Sequence, residues 1–464
     1  MPTEAIGISR SQVVFAAKET TKGTLVFPTA IDFIRPAGLA LINQVPEFMD
    51  SEELRNTLDI LDQFQNAIPP GDWSLNMYCR PAATIGGTPQ GDALFQSWQG
   101  SLNPATAASL NASATTTALT LGFDGLTGGE MPNRGVVLVG TEYTHYTGIT
   151  RASQTATAGT LTGCTRGYFG STATNHADDD DMDLSSRFYK QTVSGESFSL
   201  WIKTDHFLQG MSGCTVANAV IGVNNEGAVM FTMSGQGMQM VFAGKGTVST
   251  AVTAGGTLIE VNDADLFSVN ARIQNSTDGD TNGTTGYTIT RVDRTLNKIA
   301  VSPVLVLGWE ATDVVEGFLP PATVIGTPIE SRYTSILIDS VTGKFRSNDF
   351  TFDVPKQYIV DEVGTTYPEG YVEDVRGISA DLNIYFRKSD AKYFTLGLNS
   401  YEVPIALIFG ATATASSVRG MDVYLKRCKL KTPEISGDGP TLALKMGLTA
   451  LGTVGEDSAE IIFN

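Results

Sequence analysis

Histidine, cysteine and charge are all scarce in this chain. Its 464 residues include 3 His and 4 Cys, and charged residues make up 17% of the total, against roughly 25% in an average globular domain. Three His (His145, His176, His206) constrain any His-dependent nucleophile or general-base scheme. Cys79, Cys164, Cys214 and Cys428 lie far apart, and no pair has metal-ligand spacing, which argues against a zinc site. Scattered thiols fit a protein folded in a reducing cytosol. Positive charge is the scarcer sign, with 31 Lys and Arg against 49 Asp and Glu and a formal charge of −18. That balance argues against a sequence-independent nucleic-acid binder, which must neutralise phosphates. No run approaches 18 uncharged apolar residues, so no membrane span is expected. The opening MPTEAIGISRSQ lacks the apolar core and basic flank of a signal peptide, so synthesis and folding in a cytoplasm are expected. No GxSxG, HExxH or P-loop pattern occurs, and Gly235-Gln236-Gly237 leads into a second strand instead of a phosphate-binding helix. Neither an enzyme nor a cofactor is expected.

What the chain does have is glycine (48 residues), threonine, serine, alanine and valine, with 42% apolar residues. Small and β-branched residues favour sheet over helix bundle, so a mainly β chain of two to four domains is expected. One helix is predicted over about 51–64. Asp50 or Ser51 would cap it, Glu52 and Glu53 suit its first turn, and Leu54, Leu58, Leu61 and Phe64 share a face. Pro69-Pro70-Gly71 would end it, and Gly91–Trp98 reads as a second, short helix closed by Gly100. Composition shifts near residue 104 to a Thr/Ala/Gly-rich block of short strands, and a second such block spans about 246–308. The expected organisation is a discontinuous framework (1–104, 184–245, 309–464) with inserted β domains at 105–183 and 246–308. Residues 10–28 carry strand and turn signals but few large apolar side chains, so they are expected to pack against a neighbouring subunit.

Few residues suggest a site. Asp278, Asp280 and Asn282, followed by Gly283, match the first half of a calcium loop, where alternate oxygens wrap a hard cation. Ile289 stands where a complete loop has Glu, and a solvated polar turn is the competing reading. The run Asp178–Asp181 with Asp183 reads as a solvated acidic loop, with a divalent cation as the alternative. Met230, Met233, Met238 and Met240 read as packing, and Trp201 as core.

The segment Phe15-Ala16-Ala17-Lys18-Glu19-Thr20-Thr21-Lys22-Gly23-Thr24, with Phe27-Pro28 after it, resembles the opening of tail tube (major tail) proteins of tailed bacteriophages. Gln90–Phe95 with Trp98-Gln99-Gly100 is similar to that family's segment leading to a helix and a terminal glycine. Ser197–Ile202, Gly213–Val216 and Phe231–Gly235 resemble its central sheet, and Gly452–Asp457 before Ile461–Phe463 its close. Tyr143–Ile149, Leu161–Gly167 and His176 resemble a small β module of phage tail and fibre proteins.

The resemblance implies a β-sandwich or barrel framework with one flanking helix. It implies homohexameric rings stacked into a hollow virion tail tube that conducts double-stranded DNA without binding it specifically. Partners would be further copies of the chain and the tail terminator, tape measure and distal tail proteins. The inserted domains would lie outside the tube, which leans toward a bare, non-contractile tail. An acidic lumen would repel DNA phosphates, and Asp349, Asp353 and Asp381 are the lumen acids expected from the framework strands. Another virion β protein, such as a capsid decoration or fibre subunit, is the alternative reading. A carbohydrate-binding or carbohydrate-active β protein is the third.

Overall fold

The computed structural model describes residues 11–53, 62–100, 107–153, 156–192, 195–223, 226–343, 345–410, 420–438, 441–453 and 455–464. Half the chain is strand and 7% is helical. Eight antiparallel strands form one wall of a sandwich, in the order Leu41–Asn43, Gly71–Tyr78, Met230–Gly237, Leu208–Val223, Phe345–Asp353, Gly377–Tyr385, Thr441–Leu451 and Glu434–Asp438. Alternation along each strand sends one set of side chains inward. Met77, Phe231, Ile221, Phe350, Ala380 and Leu448 share one buried row across six strands.

The facing wall contains Val13–Lys18 paired with Phe198–Lys203, and the series Arg187–Lys190, Glu460–Phe463, Met421–Leu430, Glu402–Phe409 and Thr334–Ile338. Its inner face supplies Val14, Leu200, Ile461, Val423 and Ile405 to the same core. Helix α1, Asp92–Gln99, lies inside this core, with every residue after Asp92 buried. It starts at Gly91 and closes at Gly100, whose amide donates to Gln96. Trp98 meets Phe352 edge-on at 4.8 Å, and Phe95 meets Phe463 at 5.1 Å.

The two Thr/Gly-rich blocks form separate sheets. Strands from Ala107–Leu110 to Asp181–Leu184 make an eight-stranded sheet around Leu121, Phe123, Val137, Tyr146 and Met182. Strands from Lys245–Thr250 to Val314–Gly317 close a six-stranded barrel. Its last strand lies past residue 308, beyond the composition change. The outer face of the second wall is covered by both. Phe15, Phe33 and Trp201 point away from the sandwich and join the barrel's core. Asp422 and Glu460 point toward the eight-stranded sheet and bind its Arg134 and Asn133.

Three expectations are corrected. Phe48–Asp50 and Gln63–Gln65 form an antiparallel ribbon, with Met49 opposite Phe64, so the helix over 51–64 does not extend to Phe64. Asp50 accepts from Gln63 and the Ser51 amide donates to the Asp62 carbonyl, both within the ribbon, while the Ser51 hydroxyl accepts from the Glu53 amide at 3.4 Å as a capping group would. Residues 54–61 of that helix lie outside the described residues. In sequence Val341-Thr342-Gly343-Lys344 reads as the turn after Ser335–Asp339, but the turn is Asp339-Ser340, both at positive φ (51° and 62°), and Val341–Gly343 is already the returning strand. Finally, residues 13–18 are not a joint to a neighbour. Val14 and Ala16 face the sandwich core and Phe15 the barrel core, so both faces of this strand are buried within the subunit.

Removing residues 1–28 should therefore abolish folding instead of leaving a soluble monomer. Phe15→Ala alone should cost about 3–5 kcal/mol. Near-UV circular dichroism and urea unfolding check both; a cooperative transition in the truncated chain would refute the assignment.

Candidate functional site

The first wall has one face on the core and the other bare. Register places the bare positions in rows across the strands. One row reads Tyr78, Met230, Gly222, Asp349, Asp381 and Gly447. The next reads Asn76, Thr232, Val220, Thr351, Ser379 and Thr449. A third reads Ser74, Ser234, Asn218, Asp353 and Gly377. Most of these side chains are small and neutral. Among the described residues the charges on the face are Asp72, Asp349, Asp353, Asp381 and Glu434, against Arg346, which stacks on the outward Tyr385, and Lys445 and Lys431 at the Glu434 border.

The three acids expected to share a lumen do share this face. Asp349 stands directly opposite Asp381. Asp353 lies on the same side of its strand and accepts from the Asn218 amide at 2.7 Å. Like charges directly opposite on an antiparallel pair destabilise it by up to about 1 kcal/mol. A groove of about 690 Å³ runs over this pair, bounded by Thr351, Ser379, Asn383 and Lys445. Sequence reading missed Asp72, Glu434, Lys431 and Lys445. The polar alternation in Gly71–Tyr78 and Thr441–Leu451 was the signal that could have found them.

The calcium-loop residues have another task. Asp280 is buried, and its carboxylate accepts from the Tyr287 hydroxyl at 2.8 Å and the Trp309 indole at 2.9 Å. The Leu307 amide points to the same carboxylate. Asn282 donates to the Gly286 carbonyl, and Asp278 sits beside Asn275 and Asp313. These donors engage both oxygens of the Asp280 carboxylate, which ties the loop into the barrel. Among the described residues no three His, Cys, Asp or Glu side chains are placed to hold a metal ion. In the acidic run, Asp180 accepts from the Ala177 amide while Asp181 and Asp183 flank buried Met182 in a strand. No described helix is long and apolar enough to cross a membrane.

Other buried carboxylates join segments distant in sequence. Glu19, from the tail-tube-like turn, accepts from the Ser197 and Ser199 hydroxyls and from the Gly23 and Gly213 amides, all within 2.8 Å. A Cβ at Gly23 (φ 76°) would lie 2.7 Å from the Met238 sulfur, so the close turn requires glycine. Burial raises the Glu19 pKa, and these four donors offset it in part. In the eight-stranded sheet, Glu142 takes both arms of the Arg166 fork (2.7 and 2.8 Å), the Gly167 and Thr174 amides and His176 Nε2 at 2.9 Å. Burial opposes the charged form there, but these partners win and pull Glu142 down to about 2.

At the contact between that sheet and the framework, Asp422 lies 3.4 Å from Arg134 and 3.6 Å from His145. Burial disfavours its charge, and His145 and Arg134 more than compensate, so its pKa is lowered. Glu460 accepts from the Asn133 amide and side chain, yet burial dominates and raises its pKa. Of the small β module, Arg166, Gly167 and His176 thus surround a core carboxylate, while Tyr143 packs against Phe169.

No protein-family model matches this chain, and no curated protein matches it in sequence.

The opposed pair yields a stability test. Asp381→Asn should raise stability by a few tenths to about 1 kcal/mol by removing the repulsion, read as a higher urea midpoint. A drop would mean the pair is held by unseen attraction.

The two welded glutamates should respond oppositely to pH. Glu142 is depressed from 4.5, so its contribution is full above 4.5 and fades as pH falls toward about 2. Glu142→Gln should cost about 3–5 kcal/mol at neutral pH, because Arg166 loses its buried partner, and less in acid. Glu460 is raised, so its ionisation penalises the fold as pH climbs above 4.5. Glu460→Gln should therefore gain stability relative to the parent as pH rises. Urea titrations across a pH series decide; parallel pH profiles for the two variants would contradict the assignment.

Proposed function

We propose that this chain is a structural tube subunit of the tail-tube kind. Copies join side by side into rings, six per ring as the family resemblance implies, and the bare face of the first wall lines the bore. The observation that carries this reading is the bare face itself. Its side chains are mostly small and hydroxylated, with Asp349 directly opposite Asp381 at its centre. A stable monomer has no use for that repulsion, whereas a duct for double-stranded DNA does. Lys or Arg in the bore would hold phosphates, while acids repel them and leave the genome free to slide.

Two further features support the reading. The wall ends on each side in a short strand, Leu41–Asn43 and Glu434–Asp438, each with a ladder partner on one side only among the described residues; the rest of the Thr441–Leu451 edge continues into Met421–Leu430 of the second wall. Ile435 and Leu442 are half exposed at one border, and Leu39 and Leu41 at the other. Unpaired apolar borders invite edge-to-edge pairing. The opposite wall is covered by the barrel and the eight-stranded sheet, and in a ring whose bore is the bare face those two would lie outside. The acids act on DNA only within about 8 Å at physiological salt, so those on the face are the ones that count. No chemical turnover is part of this function. The tail terminator, tape measure and distal tail proteins are the further virion partners that this role calls for.

Electron microscopy of the purified chain tests it, with hollow rings or stacked tubes expected. Asp349→Lys with Asp381→Lys should leave tubes intact but slow genome ejection from particles, most at low salt. Discrete monomers or trimers from the parent chain would favour a decoration or fibre protein. Ejection rates that do not change at low salt would show that the bare face does not act on DNA.

A further inference from the structure

The wall strands also separate two unlike ends. At one end two ribbons project. The first is Phe48–Asp50 with Gln63–Gln65; the second is Lys356–Ile359 with Gly370–Glu373. They are joined where the Ile68 amide donates to the Thr366 carbonyl at 2.8 Å. Their exposed side chains are apolar and acidic: Phe48, Met49, Phe64, Val363 (fully exposed) and Val372, among Asp50, Glu52, Asp62, Asp361, Glu362 and Glu369. The described bases of the ribbon segments, Lys356 and Arg376, are bound to Glu373 at the root of the second ribbon.

The strand Gly377–Tyr385 leaves this end and delivers the chain to the other, roughly 27 Å away at 3.4 Å per residue. There it enters helix α2, Lys392–Leu398, which packs on the Lys431-Thr432 backbone through Gly397. The exposed bases here are Arg387, Lys388, Lys392, Lys429 and Lys431, with exposed Glu434 three residues past Lys431. Among the nearby acids, Asp390 accepts from the Arg387 amide, and Glu402 holds the Arg427 fork and lies 3.9 Å from Lys429. Asp339 lies at the rim of a cavity of about 250 Å³ lined by Ile338, Lys392, Tyr393, Leu396 and Tyr401. Exposed Leu398 and Tyr401 extend this apolar patch.

We infer that the ribbon end of one copy seats on the α2 end of a second copy, the acidic ribbons against the bases and an apolar ribbon side chain in the cavity. The occupant follows from charge. In a chain of net charge −18, the α2 end is a basic, apolar surface, and the surface complementary to it lies at the far end of the same strands. Such a contact is heterologous and does not close on itself, so it propagates along the strand direction. This inference rests on the tube reading and names the surfaces through which rings would stack.

A charge swap tests it. One variant carries Asp361→Lys, Glu362→Lys and Glu369→Lys; the other carries Arg387→Glu, Lys388→Glu and Lys392→Glu. All six positions are surface charges away from the wall's borders. Each variant alone should form rings but lose tubes by roughly tenfold or more, since like charges then face each other. A one-to-one mixture should restore tubes, because each altered end then meets its complement. Either variant forming tubes as fully as the parent, or a mixture that stays as single rings, would overturn the inference while leaving the tube reading standing. Parent protein that forms neither rings nor tubes would overturn the tube reading and this inference with it.

Discussion

The alternation of the first wall is the constraint on which the rest of the structure depends. A slip of one residue in any strand would exchange its faces, putting Phe350 and Ile221 in water and Asp349 in the core. Register is therefore fixed by the apolar rows, and the bare rows inherit their positions from it. Asp349 faces Asp381 because Phe350 must face Ala380. The acid opposition is a by-product of core registry that neutral residues at either position would relieve. Its presence is what makes the bare face informative.

The accessory sheets are held by carboxylates taken out of water and given partners. Glu19 ties the first strand to the turn at Gly213, Asp280 closes the barrel, and Asp422 and Glu460 fasten the eight-stranded sheet to the framework. A buried carboxylate is costly when a partner is removed, so such joints resist rearrangement. The barrel is fastened differently. It shares Phe15 and Trp201 with the second wall, and its attachment is apolar. Excising it would bare these aromatics, so the barrel is part of the subunit's core as well as an appendage.

Much of this was legible in the sequence. Alternating strands such as Phe198–Lys203 and Gly377–Tyr385 gave the β class, and the Thr/Gly-rich blocks marked where new sheets begin. Gly91 and Gly100 bracketed α1. What failed did so for physical reasons. Leu54, Leu58, Leu61 and Phe64 have helical spacing, but Phe64 lies in a ribbon opposite Met49, where local pairing overrides periodicity. The acids Asp278 and Asp280 have calcium-loop spacing, yet spacing does not reveal that Tyr287 and Trp309 donate to Asp280. The strand Val13–Lys18 looked too small for a core because its two buried faces serve two different cores. Asp349, Asp353 and Asp381 stand out in sequence as acids in or beside framework strands, and the structure puts all three on one face. Their direct opposition needed the register.

Considered as a tile, the first wall has four borders of two kinds. Its lateral borders include the short edge strands Leu41–Asn43 and Glu434–Asp438, and such edges attract a like edge in a set direction. Its ends are side-chain surfaces, one acidic and apolar, the other basic and apolar. Strand twist curves any sheet built by edge addition, so lateral growth tends to close. End-to-end growth, between unlike surfaces, has no reason to stop. A tile that closes sideways and stays open lengthwise makes a tube, and its bare face becomes the inside when the bulky covered wall takes the larger outer circumference. The proposed assembly thus follows from where this fold leaves backbone, charge and bulk unmatched.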